Sequence, residues 1–245
     1  MRISTRPPPP PKRVTCCLTC KWRHWHELAA LDDPDLTVLD DARSHHNYRS
    51  GQHLFQRGSS CLGLYAVSTG VIGIRKNDAS GNSVLVRLAF PGEMVGYRTF
   101  FSGGTYAGEA QALTASSVCF FEAGAVRDVL SRNTLFAGKF LERMARDLEA
   151  SEAHYLQQSS LPVRARVAHL LLKFKDQCGV ADAKGQLTLA LPVSRQDIGE
   201  MLGIRPETIA RTIHQLQEDG VATFEGRTVL VPDLDKLLDE VELAR

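Results

Sequence analysis

The sequence predicts an α+β chain in three parts: an N-terminal unit of short antiparallel strands, one long helix, and a C-terminal group of short helices ending in a β-hairpin. Three observations predict it. Between Gly51 and Gly104, glycines recur around segments rich in β-branched and aromatic residues; after Asn133 the apolar residues switch to helical spacing; beyond Pro162, short helical segments are followed by two strand-like ones around Gly226-Arg227. The length of 245 residues favours two domains.

Residues 1–14 are basic and Pro-rich, up to Pro11, and read as an arm with no core of its own. They contain no apolar stretch of the kind a secretory signal needs. No apolar run approaches the roughly 18 residues of a membrane span, so a cytoplasmic protein with no membrane contact is expected. Residues 15–130 form the strand-rich unit. DLTVLDD, Asp35 to Asp41, follows an Asp-Asp-Pro start signal and predicts a short helix with Leu36 and Leu39 on one face. LGLYAV, VIGIRK, SVLVRLAF and SSVCFFEA then read as strands, and turns about every 8 to 12 residues argue a small antiparallel barrel or sandwich.

Residues 131–160 predict one long helix. Ala137, Leu141, Met144, Leu148, Ser151 and Tyr155 fall on alternating four- and three-residue steps, the seam of a coiled coil between two copies; packing on its own barrel is the alternative. Polar Ser151 and neighbouring Asp147 weaken that seam. In residues 161–245, VRARVAHLLLKFKD turns Val163, Val167, Leu170, Leu171 and Phe174 to one side. SRQDIGEMLGI, with Ser194 as N-cap, and PETIARTIHQLQEDG, with Pro206 in the first turn and Gly220 at the end, predict two helices joined by a tight turn. Ile198, Met201, Leu202, Ile204, Ile209 and Ile213 supply their mutual apolar contact. With VATFEG and TVLVPD as a hairpin, the layout is a winged helix-turn-helix.

Lys+Arg 29 against Asp+Glu 28 excludes a uniformly basic nucleic-acid coat and a polyanionic tail, so any DNA binding rests on placed side chains. The one local excess lies between Met1 and Ala30, where Arg2, Arg6, Lys12, Arg13, Lys21 and Arg23 face Glu27 alone. On the second helix of the pair, Glu207 and Arg211 are four residues apart and project from one face. An Arg donates two bonds to guanine and a Glu accepts from cytosine, so the pair suits a G·C step. An intrahelical surface ion pair is the alternative.

The order of parts resembles the CRP/FNR family of bacterial transcription regulators. The resemblance covers nearly the whole chain from about Cys16 and is carried by GQHLFQRG, LYAVSTGVIGI, FPGEMVGY and SRQDIGEMLGIRPETIARTIHQLQEDG in that order. It implies a cyclic-nucleotide-binding-like β-roll, a dimerisation helix through Leu141, Met144, Leu148, Ser151 and Tyr155, and a winged helix-turn-helix. It further implies a homodimer on palindromic double-stranded DNA, contact with RNA polymerase, and no enzymatic activity. Glu207 and Arg211 fall on the family's E-x-x-[SG]-R signature, which reads a TGA-type half-site. Ala210 replaces the Ser of one branch and Pro206 the Arg of the other, which leaves the outer bases open. Arg205, Ser194 and Arg195 are expected phosphate contacts, with solvated surface as the alternative.

In such rolls a cyclic nucleotide is held by a Gly-Glu at the ribose and an Arg-Ser at the phosphate. Gly92 and Glu93 are present, but TYAGEAQAL follows with Glu109 and no cation, so a cAMP receptor is not expected. FNR-type sensors instead hold an iron–sulfur cluster with three N-terminal cysteines and one in the roll. Cys17-x2-Cys20 resembles the first pair and Cys119 the roll ligand, while the third position carries His26 in one spacing and Leu28 in the other. Cys16 or His26 would complete the set. A [4Fe–4S] cluster is the expectation; a Cys3His zinc site, haem on His24, His26, His45, His46 or His53, and metal-free thiols that simply oxidise are the alternatives. Cys61 and Cys178 read as packing residues. Two other functions stay open: a regulator with a small-molecule effector near Glu93, and a thiol oxidoreductase using Cys17 and Cys20, for which no thioredoxin-like βαβ unit is visible.

Overall fold

The computed structural model describes residues 16–24, 27–78, 81, 83–183 and 185–242. The arm of residues 1–14 and His26 lie outside the described residues. After two short 3-10 turns, Cys17–Thr19 and Glu27–Ala30, helix α1 (Asp33–Asp41) begins two residues before the expected start. Asp32 caps it and Pro34 sits in its first turn, where a missing N–H costs nothing.

Eight strands follow: β1 (Arg43–Tyr48), β2 (His53–Phe55), β3 (Gly63–Thr69), β4 (Ile72–Asn77), β5 (Ser83–Ala89), β6 (Met94–Val95), β7 (Glu109–Ala112) and β8 (Ser116–Glu122), with the short helix α2 (Tyr97–Ser102) after β6. They form two antiparallel four-stranded sheets, ordered β1-β8-β3-β6 and β2-β7-β4-β5. The two sheets close over Leu54, Val67, Ile72, Ala89, Val95, Ala110, Ala112 and Val118. Strand β3 is buried on both faces: Val67 points into the roll, while Leu64 and Ala66 face a second core shared with the helices. β1 was not read as a strand, because RSHHNY lacks apolar alternation; it is held by its ladder to β8.

Helix α3 (Ala123–Arg132) and the 27-residue α4 (Thr134–Ser160) pack on the first sheet. Asn133 caps α4 through the Phe136 N–H and donates to Asp35, which also accepts from Arg132 at 2.8 Å, tying this corner to α1. Phe136 and Phe140 are buried against the roll, edge to face with each other, with Phe140 also against Phe101. Two helical turns further on, the Tyr97 hydroxyl donates to Asp147, which Arg98 and Arg143 also bind, and Arg143 reaches Glu93 at 2.6 Å.

The C-terminal domain comprises α5 (Val163–Cys178), β9 (Gly179–Ala181), β10 (Leu187–Ala190), α6 (Arg195–Leu202), α7 (Pro206–Glu218), β11 (Thr223–Glu225), β12 (Thr228–Val231) and α8 (Leu234–Glu242). Its sheet runs β11-β12-β10-β9, so the expected hairpin is half of a four-stranded sheet. Helix α8 was not anticipated; Leu237 and Val241 seal the domain against α5, and Glu240 pairs with Arg164. Cys61 and Cys178 pack at the edges of two separate cores, as read from their surroundings in the sequence.

Replacing Phe140 with Ala should remove about 3–5 kcal/mol of stability, because the cavity would lie between α4 and the roll where neither can collapse freely. Urea unfolding followed by circular dichroism measures it.

Candidate nucleic-acid interface and cysteine site

The α6–α7 pair is built by local signals. Ser194 and Asp197 form a reciprocal capping box at the start of α6, and Gly203 ends the helix at φ 63°, a backbone conformation that favours glycine. Ile198, Leu202, Ile204, Ile209 and Ile213 are buried, with Met201 packed against them. That packing turns the other side of α7 outward. Arg205, Pro206, Glu207, Ala210 and Arg211 are all exposed. Among the described residues Glu207 and Arg211 form no ion pair, so both side chains are available to a ligand. Ser194 is engaged with Asp197, and Arg195 donates to the Phe224 carbonyl on β11 at 2.9 Å, linking the first helix to the hairpin.

The cysteines divide differently from a four-ligand set. Cys17 is buried, and its backbone N–H donates to Asp40 at 2.9 Å. Asp40 also accepts from Arg43 Nε at 2.9 Å, and Arg43 Nη1 donates to the Cys119 sulfur at 3.3 Å. Cys17, Asp40, Arg43 and Cys119 therefore make one polar chain joining the N-terminal segment to the roll. Burial, then the hydrogen bond and charge of Asp40, push the Cys17 thiol well above its ordinary value, so it is held as a neutral thiol. Cys16 and Cys20 are partly exposed. Among the described residues no three His, Cys, Asp or Glu side chains are grouped to hold a metal ion. The thiols suit a soft metal, but only Cys17 and Cys119 are joined, through Asp40 and Arg43.

Arg43 and Asp40 were not singled out from the sequence. Arg43 lies opposite Phe121 in the β1–β8 ladder, so its side chain reaches Cys119 as a diagonal neighbour on the same face. Only the register of a polar, unpatterned strand reveals that. Of the haem candidates, His45 contacts Ser117 at 2.6 Å, His46 contacts Ser44 at 2.9 Å, and His53 lies 3.6 Å from Glu109. Glu93 is held by Arg143 and by the Phe90 N–H, and so is already engaged where a ribose would need it. Beside it a cavity of about 820 Å³ opens between the roll, α4 and α5, lined among others by Arg87, Arg98 and Arg166.

Along α4, Leu141, Leu148 and Tyr155 are 62–70% exposed at heptad spacing, whereas Met144 turns toward the roll core. Ser151 is exposed and donates to the Asp147 carbonyl one turn back. The first half of the helix packs on its own roll, and an apolar stripe remains uncovered.

A thiol pKa raised by the fold stabilises the protein below the unfolded thiol's titration near about 8.5, and that contribution is lost as pH rises. Wild type should therefore lose more thermal stability between pH 8 and 10 than Cys17→Ser, compared by Tm. At pH 8 Cys17 should resist iodoacetamide while Cys16 and Cys20 react; mass spectrometry of the alkylated peptides checks this.

Residues 45–133 match the cyclic nucleotide-binding domain family and residues 165–240 the Crp-like helix-turn-helix domain family. Similar curated proteins include the transcriptional activator protein FnrL of Cereibacter sphaeroides, 26% identical over 91% of each chain. The anaerobic regulatory protein of Haemophilus influenzae is 26% identical over 85% of this chain and 81% of its own. Among solved structures, FixK2 from Bradyrhizobium japonicum superimposes with a TM-score of 0.70 at 26% identity, covering 80% of this chain and 96% of that one. These relatives are regulators of transcription, which sets aside the oxidoreductase alternative. No helix among the described residues is long and apolar enough to cross a membrane. A roll of the cyclic-nucleotide-binding type, a long connecting helix and a Crp-like helix-turn-helix, in this order, place the chain in the CRP/FNR family of DNA-binding transcription regulators.

Proposed function

We propose that the chain is a redox-responsive regulator that binds palindromic DNA as a homodimer and senses through its N-terminal cysteines. The observation that carries the sensing role is the link of Cys17 to Cys119 through the Asp40–Arg43 ion pair. The same N-terminal segment continues into Leu28 and Leu31, which share a core with Phe136 and Phe140 of α4. A change at the cysteines thus has a packed route to the helix that carries the DNA-binding domain. The name of one relative, the anaerobic regulatory protein of Haemophilus influenzae, supports an oxygen-linked role.

In this reading Cys17, Cys20 and Cys119 would hold an iron–sulfur cluster, with Cys16 or His26 completing the set. Such a cluster supplies oxygen-sensitive bonds to the cysteine sulfurs. Arg43 donates to the Cys119 sulfur and neutralises charge, while Asp40 holds the Cys17 backbone in place. A metal-free thiol switch is the second reading, favoured by the absence of a third grouped donor among the described residues. The cavity beside Glu93 keeps a small-molecule effector as a third.

Dimerisation is supported by the exposed stripe of Leu141, Leu148 and Tyr155, which a second α4 would cover. Glu207 and Arg211 then read a TGA-type half-site, one from each copy, with Ala210 and Pro206 beside the outer bases and Arg205, Ser194 and Arg195 near phosphates. RNA polymerase is the protein partner expected of a regulator of this type.

Anaerobic reconstitution with iron and sulfide should yield a brown protein with visible absorbance that bleaches in air and is lost in Cys119→Ser. A colourless, metal-free product whose DNA binding ignores both oxygen and peroxide would remove the sensing role altogether. Arg211→Ala should weaken binding to a TGA-containing palindrome by about 1–3 kcal/mol per half-site, measured by fluorescence anisotropy at fixed salt. Equal weakening on unrelated DNA would assign Arg211 to phosphate contact instead.

A further inference from the structure

The DNA-binding domain follows α4 through the short link Leu161–Pro162, and a head on such a link can turn unless something else holds it. The β4–β5 hairpin of the roll supplies that hold. In the β4–β5 ladder Ile74 faces Arg87 and Arg75 faces Leu85, so Val86 is an extra residue, a bulge in β5. A bulge re-aims the side chains beside it. Here it turns Leu85 and Arg75 toward α6.

Leu85 has no exposed surface and belongs to the apolar core of the DNA-binding domain, although it is a roll residue. Its backbone N–H donates to Glu200 Oε2 at 3.3 Å. Arg75 donates to the same carboxylate at 3.0 Å through Nη1 and to Asp197 through Nη2. All three charged side chains are less than 20% exposed. Asp197 also forms the capping box of α6 through its other oxygen. The first helix of the helix-turn-helix is thus gripped at its N-terminus by an arginine of the sensory roll.

We propose that Arg75 is a positioning residue for DNA recognition: by clamping Asp197 and Glu200 it fixes the heading of α7 relative to the roll, and so sets the half-site spacing. The clamp leaves the outward face of α7 open, since Glu207, Ala210 and Arg211 are exposed while it is closed. It therefore favours binding rather than blocking it. Two heads held at one heading bind a matching two-part site with a high effective concentration, and a loosened head loses that advantage. A lysine keeps the charge but not the two-pronged geometry.

The spacing effect rests on the homodimer reading, so the test has two arms. In the first, wild type, Arg75→Met, Arg75→Lys and Glu200→Gln are compared by anisotropy on a single half-site, a palindrome at the preferred spacing, and one lengthened by two base pairs. Arg75→Met should lose about tenfold on the preferred palindrome and little on the half-site, and should discriminate less between spacings. Arg75→Lys should recover part of the loss. Glu200→Gln should weaken binding in the same direction, and its effect should not add to that of Arg75→Met. In the second arm, hydrogen exchange reports the clamp in any oligomeric state: the Leu85 amide should lose protection in Arg75→Met while the β3 and β8 amides keep theirs. Folded Arg75→Met with wild-type spacing preference, or with Leu85 still protected, overturns the proposal. Wild type that binds half-site and palindrome alike refutes the homodimer reading instead, and the exchange result then decides the clamp alone.

Discussion

The joint between α4 and the roll is the constraint on which the other parts of the molecule depend. Phe136 and Phe140 anchor the helix by apolar burial, and two turns on, Asp147 gathers the Tyr97 hydroxyl, Arg98 and Arg143. The two halves of the joint do different things. Burial of aromatic surface contributes most of the free energy, whereas a largely buried ionic cluster gains little net stability once desolvation is counted. The cluster instead restricts how the helix can slide, because a shift of one turn would strand Asp147 and Arg143 without partners. A long helix held at one end acts as a lever on whatever is attached to the other.

The N-terminal segment, the roll cavity and the DNA-binding domain are all referred to that lever. The cysteine segment reaches it through Leu28 and Leu31, the cavity beside Glu93 is walled by it, and the DNA-binding domain hangs from its end. His154 near that end donates from Nε2 to the Met201 carbonyl at 3.1 Å, giving the head a contact with α4 as well as with the β4–β5 hairpin. Charge is distributed accordingly. Arg75, Arg87, Arg143 and Arg164 are engaged in partly buried contacts within the protein, so they do not add to the field that DNA would feel. The near-neutral total conceals a division between structural arginines and the exposed ones on α7.

Local patterns in the chain carried much of this organisation. The alternation of LYAVSTGVIGI, the caps at Ser194 and Gly203, and the apolar spacing of α7 each act over a few residues, which is why the strands and the helix pair could be read directly. Strand β1 could not, because its polar residues are held by a partner more than 70 positions away. Helix α8 went unread and the four-stranded C-terminal sheet was read only as a hairpin, since short elements at a domain edge draw their order from what they pack on. The cysteine site was half legible: the resemblance singled out Cys17 and Cys119 within a larger set, but Asp40 at the end of α1 and Arg43 in the register of β1 are announced by no motif.

By itself the sequence determined the order of parts, the faces of the amphipathic helices and the exposed pair Glu207 and Arg211, because those depend on periodicity and short-range capping. Tertiary structure alone decided that Asp40 and Arg43 link Cys17 to Cys119, how much of α4 remains uncovered, and that a bulge at Val86 would turn Leu85 and Arg75 onto α6. The physical reason is range: a hydrogen bond between residues 122 or 125 positions apart is selected by packing and register, and neither is written in any window of the chain.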